Sequence, residues 1–328
     1  MASDWVIPLY ECRWITRAVV EGVCRYYSPG SLHIITLPDE KPKIEMLSKA
    51  WELGTTSLYV HDESIFFPGQ PKDKLLTSIS LEGSLYQPGW FYQQLLKLGA
   101  FEGIPSLSDP YMVWDSDLLP LDTWPAEKDG RYYFSLLQHI DGGNPEIVSK
   151  WESWIEDFLK VTVITDPVST FIPHHMWFFR DVLQELHSRV HSAFPDEPTW
   201  QSAMLRSVAT HETFAEYWSY SSLANRLRPD SLNYYPYAMF GETTERFFDD
   251  GTQPFGQGLA ASLGRSFDEL EAAPCYEEIL TFVRHAYDPD RIPSSIAFEA
   301  NPRHLKKDES TLHVEETRSR WNSRMTQR

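Results

Sequence analysis

The chain is poor in cysteine. Its 328 residues include three, Cys12, Cys24 and Cys275, too few and too scattered for a disulfide framework. None belongs to a Cys-x-x-Cys pair, which excludes the common cysteine-based zinc sites. A reducing compartment is the expectation. Long apolar runs are missing as well, so no transmembrane helix is expected. The opening MASDWVIPLY has no basic stretch followed by an apolar one, so no secretory signal is expected. There is no Asn-x-Ser/Thr sequon. Basic residues are outnumbered: 29 Lys and Arg stand against 47 Asp and Glu, a net charge of -18. That excludes a general nucleic-acid binder, because phosphate backbones attract basic surfaces. Internal repeats and low-complexity segments are absent. Together these features describe a soluble, cytoplasmic protein with no integral membrane segment. An acidic protein that takes an anionic ligand needs a local cation, and a divalent metal supplies one.

Aromatic residues are plentiful, with 12 Trp, 16 Tyr and 18 Phe. They furnish either a core with polar handles or a cleft with aromatic walls. The N-terminal part alternates strand and helix. WVIPLYE (Trp5 to Glu11) reads as a buried strand, and in RWITRAVVEGVCRYY the residues Ile15, Ala18, Val19, Val23 and Tyr26 share a helical face. LHIITL is a second strand. KIEMLSKAWELG reads as a helix ended by Gly54, and TSLYVHDESIF as a third strand running into an acidic loop. The pattern predicts an α/β fold with a largely parallel sheet. PGWFYQQLLKLGAFEG (Pro88 to Gly103) follows as a helix, then YMVW as a strand. Further helices are expected in PEIVSKWESWIEDFLKV, FFRDVLQELHSRVHSAF, TWQSAMLRSVA and FAEYWSYSSLANRL, with TFIPHHMW extended between the first two. The sequence after about Gly251 is less regular. From Pro289 onward it is polar and charge-mixed, which predicts a loosely attached tail.

YMVWDSDLLPL places Asp115 and Asp117 directly after an apolar strand. In open α/β sheets that edge is where ligands bind. Two nearby carboxylates repel each other in a low dielectric unless something positive lies beside them. Mg²⁺ typically takes one or two carboxylates, several waters and substrate phosphates, and such an ion neutralises charge on a departing diphosphate. In an extended backbone the two aspartates point to one side and Ser116 to the other. Two other readings compete. One is a surface turn in which an aspartate caps backbone amides. The other is a metal-dependent phosphohydrolase of the haloacid-dehalogenase type, with Asp115 as nucleophile. That type carries its Asp-x-Asp after the first strand and has a later Gly-Asp-x-x-x-Asp element, and neither feature is found here.

The ordered set VIPLYE, GWFYQQLLKLGA, YMVWDSDLLPL, TFIPHHMWFF and ETFAEYWSY resembles the GT-A class of nucleotide-sugar glycosyltransferases. More narrowly it resembles a microbial glycosyltransferase-like family of unknown function. The pieces span Trp5 to Tyr220. The resemblance implies a GT-A-like (Rossmann-like), mostly parallel central sheet with flanking helices, plus a helical and irregular C-terminal extension. It places a catalytic domain over residues 1–250, a helical extension over 251–288 and a polar tail over 289–328. It implies a hexosyltransferase-like activity that moves a sugar from a nucleotide-diphosphate donor to a hydroxyl acceptor, either a glycan or a small molecule. Mn²⁺ or Mg²⁺ would sit on Asp115 and Asp117. His174 or His175 would complete the metal shell, only one of them facing the cleft because side chains alternate along an extended segment. A Zn²⁺ site from His174, His175 and His187 matches no standard spacing. The loop after VIPLYE would lie near the nucleotide. Asp62 and Glu63 would meet base or ribose. Gln93 and Lys97 share a helical face, and Lys97 would approach a phosphate.

For catalysis, Glu216 is the expected base for an inverting reaction, flanked by Phe214, Tyr217 and Trp218, with Asp117 alongside as a metal-bound catalytic residue. Glu212 would share a face with Glu216 if that segment were helical from Glu212. Members of the family often carry Ser before this glutamate. Here it is Ala215, which removes any role for a hydroxyl at that position. A non-catalytic protein of the same fold, holding a glycan or nucleotide in an aromatic cleft, is the alternative.

Overall fold

The computed structural model describes residues 3–77, 88–134, 137–138, 145–164, 169–170, 173–235, 244–247, 249–272 and 274–298. The fold is mixed α/β, with a mainly parallel central sheet flanked by helices. That sheet has the order β10-β4-β1-β2-β3, where β1 is Asp4–Leu9, β2 Ser31–Thr36, β3 Ser57–Asp62, β4 Tyr111–Trp114 and β10 His175–Phe178. The order reverses at β1: the chain moves to β2 and β3 on one side, then returns to place β4 on the other. The chain divides into two compact units, residues 1–62, 114–124 and 243–328, and residues 63–113 and 125–242.

In the first unit β1, β2 and β3 are parallel, with Val6 opposite His33 and Ile35 opposite His61. Strands β1 and β2 are buried along almost their whole length, as strands covered on both faces must be. Helix α1 (Thr16–Tyr27) buries Ala18, Val19 and Val23, the face expected from their spacing. It ends where Ser28 turns left-handed and its N–H bonds the Cys24 carbonyl. Helix α2 (Lys41–Leu47) stops well before Gly54, contrary to the sequence reading. A short 3₁₀ turn follows, and Trp51 then becomes extended and is buried. Burial of that ring wins over continuing the helix, and Gly54 lies in the next turn at φ +58°.

The stretch after Gly251, read as less regular and as a helical extension, is helical over much of its length. Helix α9 spans Asp249–Ser262 and helix α10 spans Tyr276–Ala286. Strand β13 (Ser295–Phe298), four buried residues within the segment read as a loose tail, is the middle strand of a small sheet. It runs parallel to β12 (Thr244–Phe247) and antiparallel to β5 (Leu118–Pro120). Glu21, buried in α1, takes a hydrogen bond from Arg17 at 2.7 Å and from the backbone N–H groups of Glu52 at 2.9 Å and Tyr276 at 2.8 Å. One carboxylate thereby fixes α1 to the start of α10.

The second unit is largely helical. It holds α3 (Lys72–Thr77), α4 (Pro88–Gly103), α5 (Pro145–Trp154, continued by a π-helical turn to Leu159), α6 (Arg180–Ala193), α7 (Trp200–His211) and α8 (Glu216–Leu227). Strand β8 (Leu137–Gln138) pairs with β9 (Ser169–Thr170), and β6 (Glu127–Lys128), β7 (Arg131–Phe134) and β11 (Leu232–Tyr234) form a small sheet. Phe91, Trp154, Phe178, Phe214 and Tyr220 are buried in the aromatic core. α4 is buried nearly all round rather than along one stripe: Phe91, Leu95 and Leu98 are inside, Gln94 and Lys97 are inside too, and Trp90 is only half-buried. Thr199 caps α7 through a reciprocal pair with Ser202.

Candidate functional site

Asp115 and Asp117 follow β4 directly, at its carboxyl end. They are not in extended backbone. The N–H of Leu118 bonds the carbonyl of Asp115 at 3.1 Å, so Asp115 to Leu118 is a tight turn and the alternation argument does not apply. Three features hold the turn in the first unit. Trp114 is buried, stacks on Trp5 with ring centroids 5.6 Å apart, and donates its Nε1–H to the carbonyl of Leu118 at 2.9 Å. The N–H of Phe298, from β13, bonds the carbonyl of Asp117 at 2.9 Å. Both aspartates are half-buried. The late strand thus pins the acidic turn, a link that sequence reasoning missed because nothing local to either segment announces it.

Asp115 and Asp117 set two carboxylates in one turn of the first unit, a pair that could ligate a metal ion. His174 is the buried residue just before β10. His175, the first residue of that strand, is also buried. The donor set fits a divalent cation. Two carboxylate oxygens supply the hard anionic ligands that Mg²⁺ and Mn²⁺ take, and two protein ligands leave coordination positions for water or phosphate oxygens.

The strand order adds a second feature. Between β1 and β4 the winding of the sheet changes direction, and open α/β sheets bind ligands outside the carboxyl ends of such strands. Tyr10, immediately after β1, is 59% exposed, unusual for a ring so close to a buried strand. Sequence analysis named the loop but not this side chain. Asp62, at the carboxyl end of β3, is half-buried.

The remaining expected residues belong to the second unit. Glu63 is buried and takes a hydrogen bond from Lys72 at 2.8 Å. Gln93 is half-buried on α4. Lys97, expected near a phosphate, is buried and donates to Glu216 Oε1 at 2.7 Å, with its ammonium 4.4 Å from the centre of the Tyr217 ring. With its amide nitrogen turned toward the carboxylate, Gln94 donates to Glu216 as well. Glu216 therefore stands in a buried cluster of Lys97, Gln94 and Tyr217. Glu212 and Glu216 do not share a helix. Glu212 closes α7 in a left-handed conformation at φ +65° and takes a hydrogen bond from Lys150 at 2.7 Å, whereas Glu216 opens α8. His187 is buried against Trp200, with ring centroids 3.6 Å apart and Nδ1 3.4 Å from Glu102, so it belongs to a packing cluster.

No helix among the described residues is long and apolar enough to cross a membrane. No protein-family model matches the chain. No curated protein matches it either. Two of the solved structures it is similar to are glycosyltransferases. Mouse xyloside xylosyltransferase 1 in its apo form aligns over 75% of this chain and 88% of its own, at 11% identity and a TM-score of 0.43. The apo-form glycosyltransferase GlyE of Streptococcus pneumoniae TIGR4 aligns over 100% of this chain and 63% of its own, at 10% identity and a TM-score of 0.35. Likeness at this level settles neither the activity nor the substrate of this chain.

Proposed function

We propose that this chain is a metal-dependent glycosyltransferase of GT-A type, passing a sugar from a nucleotide-diphosphate donor to a hydroxyl acceptor. The observation that carries the reading is the pair Asp115 and Asp117, half-buried in a fixed turn at the carboxyl end of β4. These two residues, with His174 as the further ligand that the resemblance implies, would hold Mn²⁺ or Mg²⁺, and the ion when bound supplies the positive charge that a departing diphosphate needs. Asp115 and Asp117 orient that charge from a turn fixed by Trp114 and Phe298. Tyr10 offers a ring face to a nucleobase, and Asp62 and Gln93 offer polar groups to the remainder of the donor. Glu63 and Lys97 would act through the ion pairs they already make. Glu216 accepts from Lys97 and Gln94, which occupy lone pairs that a base would use. In this reading it acts by accepting hydrogen bonds, and a bound acceptor must displace one of its donors before Glu216 serves as base.

The test is a thermal-shift screen of nucleotide-sugars with and without Mn²⁺, followed by assay of the donor that responds. A ligand held only by the folded state raises stability by about 2.7 kcal/mol at a hundred times its dissociation constant. The expected result is stabilisation and slow donor hydrolysis that need the metal and vanish in Asp117→Ala. Binding without turnover across varied acceptors would favour a non-catalytic protein. Phosphate release from simple monoesters, lost in Asp115→Asn, would favour a phosphohydrolase. A panel with no metal-dependent response would sink the reading.

A further inference from the structure

We propose that His33 and His61 form an acid-sensitive clasp that fastens the edge strand β3 to β2. Among the described residues strand β3 is last in the sheet order, beside β2. Its outer residues are poorly covered, with Tyr59 49% exposed, so few buried side chains hold it in place. In register, His33 stands opposite Tyr59, and His61 is two residues further along on the same face. The His33 ring stacks on Tyr59 with centroids 5.1 Å apart and on His61 with centroids 5.2 Å apart. His33 Nδ1 and His61 Nε2 are 2.9 Å from each other.

Only one hydrogen fits between two ring nitrogens at that distance. In the neutral pair one ring donates and the other accepts. A first added proton can go to an outward nitrogen and leave the bridge whole. A second sets two N–H groups head to head and breaks it. Once β3 separates, both rings titrate as ordinary histidines, so the fastened state binds fewer protons and acid favours release. The surrounding groups act in both directions. Asp4 on β1 favours charge on His33, Lys41 at the start of α2 opposes charge on His61, and α2 itself packs on β3. Burial is the larger influence on both rings. It lowers His33 to about 4 and lowers His61 as well. The tendency to open is therefore weak at neutral pH and grows as pH falls below the ordinary histidine value of about 6.5. The clasp lies in the first unit and does not depend on the proposed transfer activity.

Hydrogen exchange on the full chain, corrected for intrinsic rates, tests this at pH 7 and pH 5. Opening that takes up a proton at an ordinary histidine pKa, closed to it until about pH 4, speeds exchange about twentyfold between the two. That acceleration is expected in peptides covering Ser57–Asp62. His33→Gln, which keeps a hydrogen-bonding side chain and cannot charge, should remove most of it. His61→Gln, at the more exposed position, should reduce it and serves if the buried variant does not fold. Unchanged protection of β3 at pH 5 overturns the proposal. So does an acceleration that persists undiminished in both variants.

Discussion

Lys97 and Glu216 are 119 positions apart in the chain, yet each side chain is only 4% exposed and the two meet at 2.7 Å. Removing one partner strands the other charge in the interior, which costs about 3–5 kcal/mol. Lys97→Met is expected to lose that much in urea unfolding. The double variant Lys97→Met, Glu216→Leu should recover a large part of it, because well-packed apolar groups often replace a buried pair at little cost. Equal losses in the single and double variants would show that packing, and not charge, carries the effect. The sequence showed that Gln93 and Lys97 share a helical face. It could not show the partner, because the contact comes from packing α4 against α8 and leaves no local trace. The acidic pair was legible by contrast, since an apolar strand followed by two carboxylates is a local pattern. The turn that holds it was not, because the bond from Phe298 to Asp117 joins distant segments.

Among the elements, α1 approaches α10 closely at Gly22. A Cβ there would lie 2.8 Å from Cε2 of Tyr276 and 3.0 Å from Cγ of Pro120. On an exposed helix face Gly→Ala gains about 1 kcal/mol. Here overpacking should reverse the sign, and Gly22→Ala is expected to cost about 1–3 kcal/mol by denaturant titration. A gain would mean that Tyr276 moves aside freely. The elements themselves were largely readable. The alternation of strand and helix from β1 to β3 follows from periodicity, and α4 spans the residues expected of it. Boundaries failed where burial overrode local signals. Trp51 ended α2 early, and the left-handed Glu212 closes α7, so Glu212 does not join the helix of Glu216. The His33–His61 bridge also escaped notice, because two single histidines on separate strands meet only once the register is set.

At the scale of the molecule, the first unit is assembled from three separate stretches, residues 1–62, 114–124 and 243–328. Ile296 and Phe298 are fully buried in β13. Burial of two such side chains contributes about 3–6 kcal/mol, a large part of the roughly 5–15 kcal/mol that holds a domain together. A chain ending at Ser294 is therefore expected to lose cooperative melting of this unit, followed by circular dichroism, and with it any response to Mn²⁺. An unchanged melt would show that β5 and β12 manage without their middle strand. The low cysteine count and the acidic charge were legible at this scale, but the role of β13 was not: its four residues sit in a polar stretch that composition assigns to a tail. The place of that strand also bears on how the protein is made. During synthesis β1 to β3 leave the ribosome well before β13, which is translated more than two hundred residues after β3. Until then the nascent chain carries an unfinished half, and the intervening helical unit has the opportunity to fold first.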